Sequence, residues 1–370
     1  MSMRFRRAVL AVSVIAIAAA AVFLAFEERV TTEDAFVEGN VVAVTSQVGG
    51  VVTSISNDST EHVLAGAELI RLDDTDARLA LGRAEAMLAR SVRQVRSQTA
   101  NVGQARANLR GRQVELRRAQ VDLRNRLALQ PIGAVSGEEA QHAKDDVERA
   151  EASAELALQQ LNAGLALIDG FPIEQHPDVL AAAANVREAF VALRRTRVPA
   201  PVGGILAKRS VQIGQRVSAG VAMMSIVPLD QIWVSANFKE SQLRHIRSGQ
   251  PVTLKADVYG AEVTYSGTVI GQDAGTGSAF ALLPAQNATG NWIKVVQRVP
   301  VRISLDAAEV ARHPLQLGLS MRVTIDTSSR DGLRLQPMPG ETHPRYVTNV
   351  FAQDVANADE LVNRIITTNR

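Results

Sequence analysis

The stretch SQVGGVVTSIS, from Ser46 to Ser56, decides the fold because it has a counterpart far along the chain, APVGGILAKRS, from Ala200 to Ser210. Both stretches contain Val-Gly-Gly followed by two aliphatic residues. In both, the second glycine of the pair is followed 16 residues later by another glycine, over Gly50 to Gly66 and Gly204 to Gly220. Short apolar segments that alternate with glycine turns are typical of small β units. Two matching units predict one β module built from two halves.

The segment between the halves carries a sustained heptad repeat. No proline occurs from Thr75 to Gln130, and an aliphatic residue recurs at every seventh position: Leu81, Leu88, Val95, Val102, Leu109, Leu116 and Leu123. This pattern predicts a coiled-coil helix of roughly 80 Å, at 1.5 Å per residue. Pro131, Gly133 and Gly137 predict its end.

A second heptad series predicts a returning helix. It comprises Ala140, Val147, Ala154, Leu161 and Ile168, is interrupted at Phe171-Pro172, and continues at Val179, Val186 and Leu193. The short break before it favours an antiparallel pair. The segment from Thr75 to Gln130 holds 12 Arg and 4 acidic residues, whereas Gly137 to Gly170 holds 2 basic and 8 acidic residues. We therefore expect the arms to attract each other, which favours paired arms over a nucleic-acid surface. An antiparallel hairpin brings the chain back to its starting point, so the two β halves can pair at the base of the hairpin.

Composition excludes several functional classes. The chain has 370 residues, a net charge of +2, 46% hydrophobic and only 4% aromatic residues, and no cysteine. Disulfides, thiol nucleophiles and thiolate metal sites are therefore excluded. The six histidines have no metal-ligand spacing and no GxSxG motif occurs, so we expect no enzyme and no metal site. Asp73, Asp74 and Asp76 suggest either a cation site or the N-terminal cap of the first helix, and we favour the cap.

The N-terminus predicts a membrane anchor. Ala8 to Phe26 contains no charge over 19 residues, which is about the length that spans a bilayer. Three arginines precede it, at positions 4, 6 and 7, and two glutamates follow it. The positive-inside rule then places the N-terminus in the cytoplasm and the rest of the chain outside. A cleaved signal peptide is the alternative.

The pattern changes to period two after Ile232. Apolar residues alternate in four segments: Ile232, Val234, Ala236 and Phe238; Val252, Leu254, Ala256 and Val258; Val301, Ile303 and Leu305; Met321, Val323 and Ile325. We interpret them as strands of a small barrel, with a short helix before Gly249. A glycine-rich loop carries Phe280, Leu282, Leu283, Asn287 and Trp292, which either contact a drug or transporter or pack on the barrel.

These features together resemble a known family. Two half-motifs of lipoyl or biotinyl type around a helical hairpin are similar to the membrane fusion proteins, or periplasmic adaptors, of the HlyD family. IWVSANFKESQLRHIRSGQPV, from residue 232 to 252, and GTGSAFALLPAQNATGNWIKVVQRVPVRI, from 275 to 303, resemble the EmrA-type multidrug-efflux adaptors. The likeness extends from TEDAFVEGN, at 32 to 40, to about residue 330, and it weakens beyond that point. Lys208 has no counterpart in the first half, so we expect no covalent lipoyl or biotinyl cofactor.

The resemblance implies an elongated, multidomain protein of mixed α and β structure. Its expected parts are a cytoplasmic stub and transmembrane anchor (1–29), a split lipoyl-like module (39–73 with 198–228), a coiled-coil hairpin (74–197), a β-barrel (30–38 with 229–330) and a C-terminal tail (331–370). It also implies a single-pass inner-membrane protein with a periplasmic bulk, which forms a homo-oligomer, trimeric or hexameric. The implied partners are a major-facilitator drug:proton antiporter in the inner membrane and a TolC-type outer-membrane channel.

The resemblance places channel docking at the hairpin tip, RNRLALQPIGAVSGEEA, from residue 124 to 140. Many such adaptors have an arginine, a leucine four residues later and a serine seven residues after that. Here Leu129 and Ser136 keep their interval, but Asn125 stands at the arginine position, between Arg124 and Arg126. We expect the docking surface to comprise Arg124, Arg126, Leu129, Ile132 and Ser136. A hairpin turn without a partner is the alternative.

Two other functions compete with a drug-efflux adaptor. An adaptor of an ABC-type peptide or protein secretion system is the nearer one. A membrane-anchored coiled-coil sensor or scaffold is the other, but only about seven residues precede the apolar segment, which is too few for a cytoplasmic signalling domain.

Overall fold

The computed structural model describes residues 29–168, 170–277, 279–280, 296–334, 344 and 346–370. The predicted anchor from Ala8 to Phe26 lies outside the described residues. Within the described ranges, no helix is both long and apolar enough to cross a membrane.

The elements follow one another in a simple order. Two strands open the described chain, β1 (Arg29–Thr32) and β2 (Ala35–Gly39), and four more follow: β3 (Val42–Thr45), β4 (Gly50–Ile55), β5 (His62–Val63) and β6 (Glu68–Leu72). Three helices come next, α1 (Thr75–Leu129), α2 (Gly137–Ile168) and α3 (Pro177–Arg194). Strands resume with β7 (Arg197–Pro199), β8 (Gly204–Arg209), β9 (Arg216–Val217), β10 (Ala222–Val227), β11 (Ile232–Lys239), β12 (Pro251–Ala256), β13 (Tyr265–Gln272) and β14 (Arg298–Leu305). The last elements are α4 (Ala307–Arg312), β15 (Met321–Asp326) and α5 (Gln353–Asn369).

Strands from the two Val-Gly-Gly segments share two four-stranded sheets. Their orders are β3-β10-β8-β5 and β7-β6-β4-β9. The strands β3, β4, β5 and β6 of the first half correspond to β7, β8, β9 and β10 of the second. When each strand is replaced by its counterpart, the order of the first sheet becomes the order of the second, so the two sheets are related by pseudo-twofold symmetry. Each sheet joins the halves by antiparallel pairs, such as β3 with β10 and β6 with β7. The repeat in the sequence thus corresponds to a repeat in the sheets.

The paired glycines of the repeat occupy crowded positions. A Cβ atom on Gly204 would lie 2.4 Å from the carbonyl oxygen of Val227. A Cβ atom on Gly50 would lie 3.2 Å from Cβ of Leu72. Only glycine lets the backbone approach this closely without displacing a neighbour. Around these glycines, Leu69, Met223 and other apolar side chains form a buried core.

The module leads directly into the hairpin. The backbone N–H of Leu72, at the end of β6, donates to the carbonyl oxygen of Thr196 at 2.8 Å, just before α1 begins and after α3 ends. The carboxylate of Asp73 accepts hydrogen bonds from the backbone N–H and the hydroxyl of Thr75, at 3.0 and 2.7 Å. Asp74 instead forms an ion pair with Arg78 at 2.7 Å. The capping prediction therefore holds for Asp73, which lies one residue before the N-cap, but not for Asp74, which is at the N-cap and forms no capping hydrogen bond; Asp76 lies in the first turn of α1.

The long antiparallel hairpin forms as the heptads predict. Leu88, Val95, Val102 and Leu109 are buried along the seam of α1, whereas Leu116 and Leu123 are only partly buried towards the tip. Gly164 on α2 lies so close to Val102 that a Cβ atom there would be 3.1 Å from Cγ2 of the valine. Small residues on α2 therefore let the two arms approach closely.

The expected charge attraction between the arms is not seen as ion pairs. Among the described residues, none of the salt bridges joins α1 to α2; those between two residues of α1 or two residues of α2 include Arg112 with Glu115 and Arg149 with Asp146. The reason is the position of the charges. Arg110 and Arg117 each directly follow a seam residue, and one residue corresponds to about 100° around a helix. These charges consequently point away from the seam.

The third sheet has seven strands in the order β1-β15-β12-β13-β14-β11-β2. Strand β2, at one end of the sheet, also contacts the chain just before β15, which lies next to the other end. Phe36 forms a β-bridge with Ser320, the N–H of Val37 donates to the carbonyl oxygen of Leu319 at 3.0 Å, and the N–H of Gly318 donates to the carbonyl oxygen of Val37 at 2.8 Å. The sheet is therefore barrel-like. The alternating residues of β11, β12, β14 and β15 form its core.

Three details of this part differ from the sequence prediction. Val258 is not in a strand but lies exposed in a 3₁₀ turn, Asp257–Tyr259, after β12 has ended. The short helix before Gly249 is a single 3₁₀ turn, Gln242–His245. Strand β13 was not predicted, and its Gly267 is so close to Ser304 that a Cβ atom would lie 2.2 Å from the serine carbonyl oxygen.

The buried seam generates a prediction for the part of the hairpin nearer the tip, which we call the upper hairpin. Leu109→Ala should lower the free energy of opening the upper hairpin by about 2–5 kcal/mol, because it leaves a cavity between the arms. Leu127→Ala is the matched control, since Leu127 is 49% exposed on the same helix. Hydrogen exchange of the backbone amides of α2 measures the free energy of opening in both variants. Equal protection of α2 in the two variants would contradict the prediction that Leu109 is packed between the arms.

Candidate docking site at the hairpin tip

The tip is a short turn between two helices. Helix α1 ends at Leu129, and a 3₁₀ turn, Gln130–Ile132, follows it. Gly133 then adopts a left-handed conformation, with φ of 76°. The backbone N–H of Ala134 donates to the carbonyl oxygen of Leu129 at 3.3 Å, which satisfies an acceptor at the helix end. The turn is thus compact and glycine-dependent.

A capping box starts the returning helix. The hydroxyl of Ser136 accepts from the backbone N–H of Glu139 at 3.2 Å. In return, the Glu139 carboxylate accepts from the backbone N–H and the hydroxyl of Ser136, at 2.8 and 2.9 Å. These reciprocal bonds satisfy two N–H groups that the helix itself leaves unpaired. Ser136, which the resemblance assigns to docking, therefore has a structural role in the turn.

The tip presents apolar and cationic groups to solvent. Ile132 is 75% exposed and Leu129 is 44% exposed. Arg124 is exposed and has no partner among the described residues, whereas Arg126 donates to Asp122 at 2.8 Å. The backbone N–H and then the hydroxyl of Ser136 hold the pKa of Glu139 below its usual range, and the charge of Arg126 adds to the effect. Arg124, Arg126 and Leu129 are thus in the last two turns of α1, Ile132 is in the 3₁₀ turn, and Ser136 directly precedes α2. Of these five residues, Arg124, Leu129 and Ile132 are available to a partner.

The predicted contact loop is only partly described. Phe280 is 72% exposed, and its ring lies so close to Gly275 that a Cβ atom there would be 2.7 Å from a ring carbon. Leu282, Leu283, Asn287 and Trp292 lie outside the described residues. The role of this loop therefore stays a prediction.

Sequence reasoning missed the C-terminal helix α5. Its Ala358, Val362 and Ile366 are buried, and Val362 and Ile366 belong to the core at the base of the hairpin. They recur every fourth residue, which is the signal of an amphipathic helix.

The capping box predicts a pH response. A lowered pKa in the folded state means that Glu139 stabilises the turn fully above its usual pKa, near 4.5, and that this contribution is lost as pH falls through the lowered value. Ser136→Ala removes the hydroxyl donor and should raise the pKa of Glu139. Ser136→Thr, which retains the hydroxyl, is the control. NMR titration of the Glu139 carboxylate measures the shift, and an identical titration in all three proteins would exclude the capping box.

The hairpin and most of the rest of the chain are similar in sequence to known proteins. Residues 75–196 match the family model of the EmrA alpha-helical hairpin domain. The fatty acid resistance protein FarA of Neisseria gonorrhoeae is 46% identical over 334 residues, which are 90% of this chain and 84% of FarA. The multidrug export protein EmrA of Escherichia coli strain K12 is 43% identical over 347 residues, which are 94% of this chain and 89% of that protein. A solved structure of the periplasmic adaptor protein EmrA is 17% identical, covers 81% of this chain and 99% of its own, and has a TM-score of 0.41.

The matched segments cover 90% of this chain for FarA and 94% for EmrA, so the similarity reaches the β module, the hairpin and the barrel-like sheet. The chain belongs to the EmrA family of membrane fusion proteins, which are adaptors and not enzymes.

Proposed function

We propose that the protein is the periplasmic adaptor of a tripartite multidrug efflux pump. It would link a major-facilitator drug:proton antiporter in the inner membrane to a TolC-type outer-membrane channel. The observation that carries the proposal is the length of the hairpin, which separates the tip from the rest of the molecule. Helix α1 has 55 residues, or roughly 80 Å, and it carries a solvent-exposed tip at its far end.

The polarity of the molecule supports the two contacts. Strand β1 begins at Arg29, only three residues after the predicted anchor ends at Phe26. The barrel-like sheet, which contains β1, is therefore expected next to the inner membrane. The tip is separated from it by the β module and the full hairpin.

We propose a single-pass protein with a cytoplasmic N-terminus. N-terminal sequencing of the protein extracted from membranes should then give a sequence that begins at Met1 rather than between Val22 and Glu27.

The relatives support drugs rather than polypeptides as cargo. Their names refer to multidrug export and to fatty acid resistance. The alternative, an adaptor of an ABC-type peptide or protein secretion system, has no comparable support.

A homo-oligomer, trimeric or hexameric, would form through the sides of the hairpins. On α1, Val114 and Val121 are 44% and 49% exposed on the side away from the seam, and exposed arginines follow the seam residues. On α2, Leu156 is 61% exposed and stands beside Glu155. An apolar and basic surface on one arm and an apolar and acidic surface on the other are complementary between neighbouring copies. The lack of ion pairs between α1 and α2 leaves these charges available to a second copy.

The docking proposal predicts the effect of reversing charge at the tip. Arg124→Asp with Arg126→Asp should abolish cross-linking to the outer-membrane channel. Losing one charged hydrogen bond at an interface costs on the order of 2–5 kcal/mol, and each copy in the oligomer repeats the loss. Co-purification with the inner-membrane transporter should persist.

Arg83→Asp with Arg90→Asp is the matched control, because both arginines are exposed on the lower part of α1, far from the tip. The control variant should still cross-link to the outer-membrane channel. A tip variant that loses the transporter and keeps the channel would show that the proposed polarity is inverted.

A further inference from the structure

The C-terminal helix converts the base of the hairpin into a three-helix bundle. Ala358, Val362 and Ile366 of α5 are between 0% and 6% exposed. Val362 and Ile366 share one core with residues of α1 and α3, including Leu88 and Val186. Without α5, this apolar face of the hairpin base would be open to water.

Polar contacts fix the register of α5 against the hairpin. They run in antiparallel order along α3 and end at α1 and at the bend between α2 and α3: Asp354 with Arg194 at 3.3 Å, Asp359 with Arg187 at 2.6 Å, Asn369 with Arg93 at 2.6 Å, and Arg370 with Glu174 at 2.5 Å. As the number rises along α5, the partner number falls along α3. The helix therefore spans the whole of α3.

The upper end of α5 meets the one interruption in the returning arm. Helix α2 ends at Ile168 and α3 begins at Pro177, with Pro172 between them. His176 joins the two helices, since one ring nitrogen accepts from the backbone N–H of Asp178 at 3.3 Å and the other lies 3.2 Å from the carbonyl oxygen of Leu167. The contact of Arg370 with Glu174 is in this bend. Three helices thus support the arm up to the bend, and two helices continue beyond it.

The segment that leads to α5 also touches the other two parts of the molecule. The carbonyl oxygen of Leu333 accepts from the backbone N–H of Ser248, beside the barrel-like sheet, at 3.2 Å. The hydroxyl of Thr348 donates to the carbonyl oxygen of Pro201, in the β module, at 2.7 Å. One C-terminal segment therefore contacts the barrel-like sheet, the module and the hairpin in succession.

We infer that residues 346–370, which comprise α5 and the stretch that leads into it, act as a strap that sets the direction in which the hairpin leaves the β module, and thereby where the tip is presented. The residues that position the hairpin are Val362 and Ile366 through the apolar face, and Asp354 and Asp359 through the ion pairs. The inference goes beyond the proposed function and does not depend on which partners the tip and the barrel-like sheet contact. Releasing α5 should leave the sheets and the upper hairpin folded while the hairpin swings relative to the module.

The natural chain has no cysteine, so spin labels can be attached at two introduced sites. Ile213→Cys in the module and Asn108→Cys on the upper part of α1 suit this purpose, since both side chains are exposed and Asn108 lies outside the surface proposed for oligomerisation. Pulsed electron spin resonance of labelled protein, diluted with an excess of the unlabelled, cysteine-free protein, then gives the distribution of distances between the two labels within one copy of the full-length, detergent-extracted protein. The strapped protein should show one narrow distribution.

Val362→Asp with Ile366→Asp should release α5, because two carboxylates cannot remain unpaired in this core. Asn363→Asp with Thr367→Asp is the matched control, which adds the same charge to the exposed face of the same helix. We expect the distance distribution to broaden at least twofold in the first variant and to stay unchanged in the control. Hydrogen exchange of residues 353–369 confirms that α5 is released.

A second pair of variants keeps the test decisive if buried aspartates disturb folding. Arg187→Asp with Arg194→Asp turns two partly exposed attractive pairs into repulsive ones, which should displace α5 from its register along α3 and thereby broaden the distribution. Adding Asp354→Arg and Asp359→Arg should restore the narrow distribution, which a general loss of stability would not. An unchanged distribution in a protein whose α5 is released, or a failure of the reversed pairs to restore it, would overturn the strap.

Discussion

Antiparallel pairing between the two Val-Gly-Gly halves is the contact on which the other parts of the structure depend. The strands that pair are separated along the chain by the whole hairpin, so bringing them together carries a loop-closure cost. The hairpin reduces this cost because its arms pack on each other and return the chain to its starting point. In turn, the pair formed by β6 and β7 holds the lower ends of α1 and α3 side by side. Module and hairpin are therefore mutually dependent.

The stability of the hairpin is unevenly distributed along its length. At the base, fully burying a side chain such as Val362 contributes roughly 1.5–3 kcal/mol. The exposed ion pairs of α5 contribute roughly 0–1 kcal/mol each, so the apolar face outweighs them and the ion pairs mainly set the register. Above the bend the α2 side of the seam combines Leu161 and Ile168 with alanine and glycine, and towards the tip Leu116 and Leu123 of α1 are only partly buried. The base of the hairpin is therefore its more firmly packed part, and the end that we propose to dock on a channel is the more weakly packed one.

Much of the fold could be predicted from the sequence because it is periodic. Heptads from Leu81 onwards predict α1, and the repeated Val-Gly-Gly predicts two related β units. Features that depend on tertiary contacts were less accessible. Charge totals predicted attraction between the arms, but the ion pairs depend on where each arginine lies around the helix. The sequence signal for α5 is short, and its partners Arg187 and Arg194 become evident only when the chain is folded.

The candidate site was predicted in the same uneven way. The heptad break located the tip, and the exposed Ile132 and Leu129 lie there as expected. The role of Ser136 was not apparent, because the spacing of Ser136 and Glu139 indicates a capping box as well as a docking motif. A serine at the start of a helix thus needs its hydrogen bonds before it can be assigned to a partner.

Hydrogen exchange mass spectrometry of Gly204→Val tests most directly whether the hairpin depends on the module. The valine Cβ atom would lie 2.4 Å from the carbonyl oxygen of Val227, so strands β8 and β10 cannot keep their pairing. The account predicts that the lower part of α1 and all of α3 lose protection together with these strands, while β12 and β15 of the barrel-like sheet keep theirs. Full protection of α1 and α3 in a protein whose β8 and β10 exchange freely would contradict it.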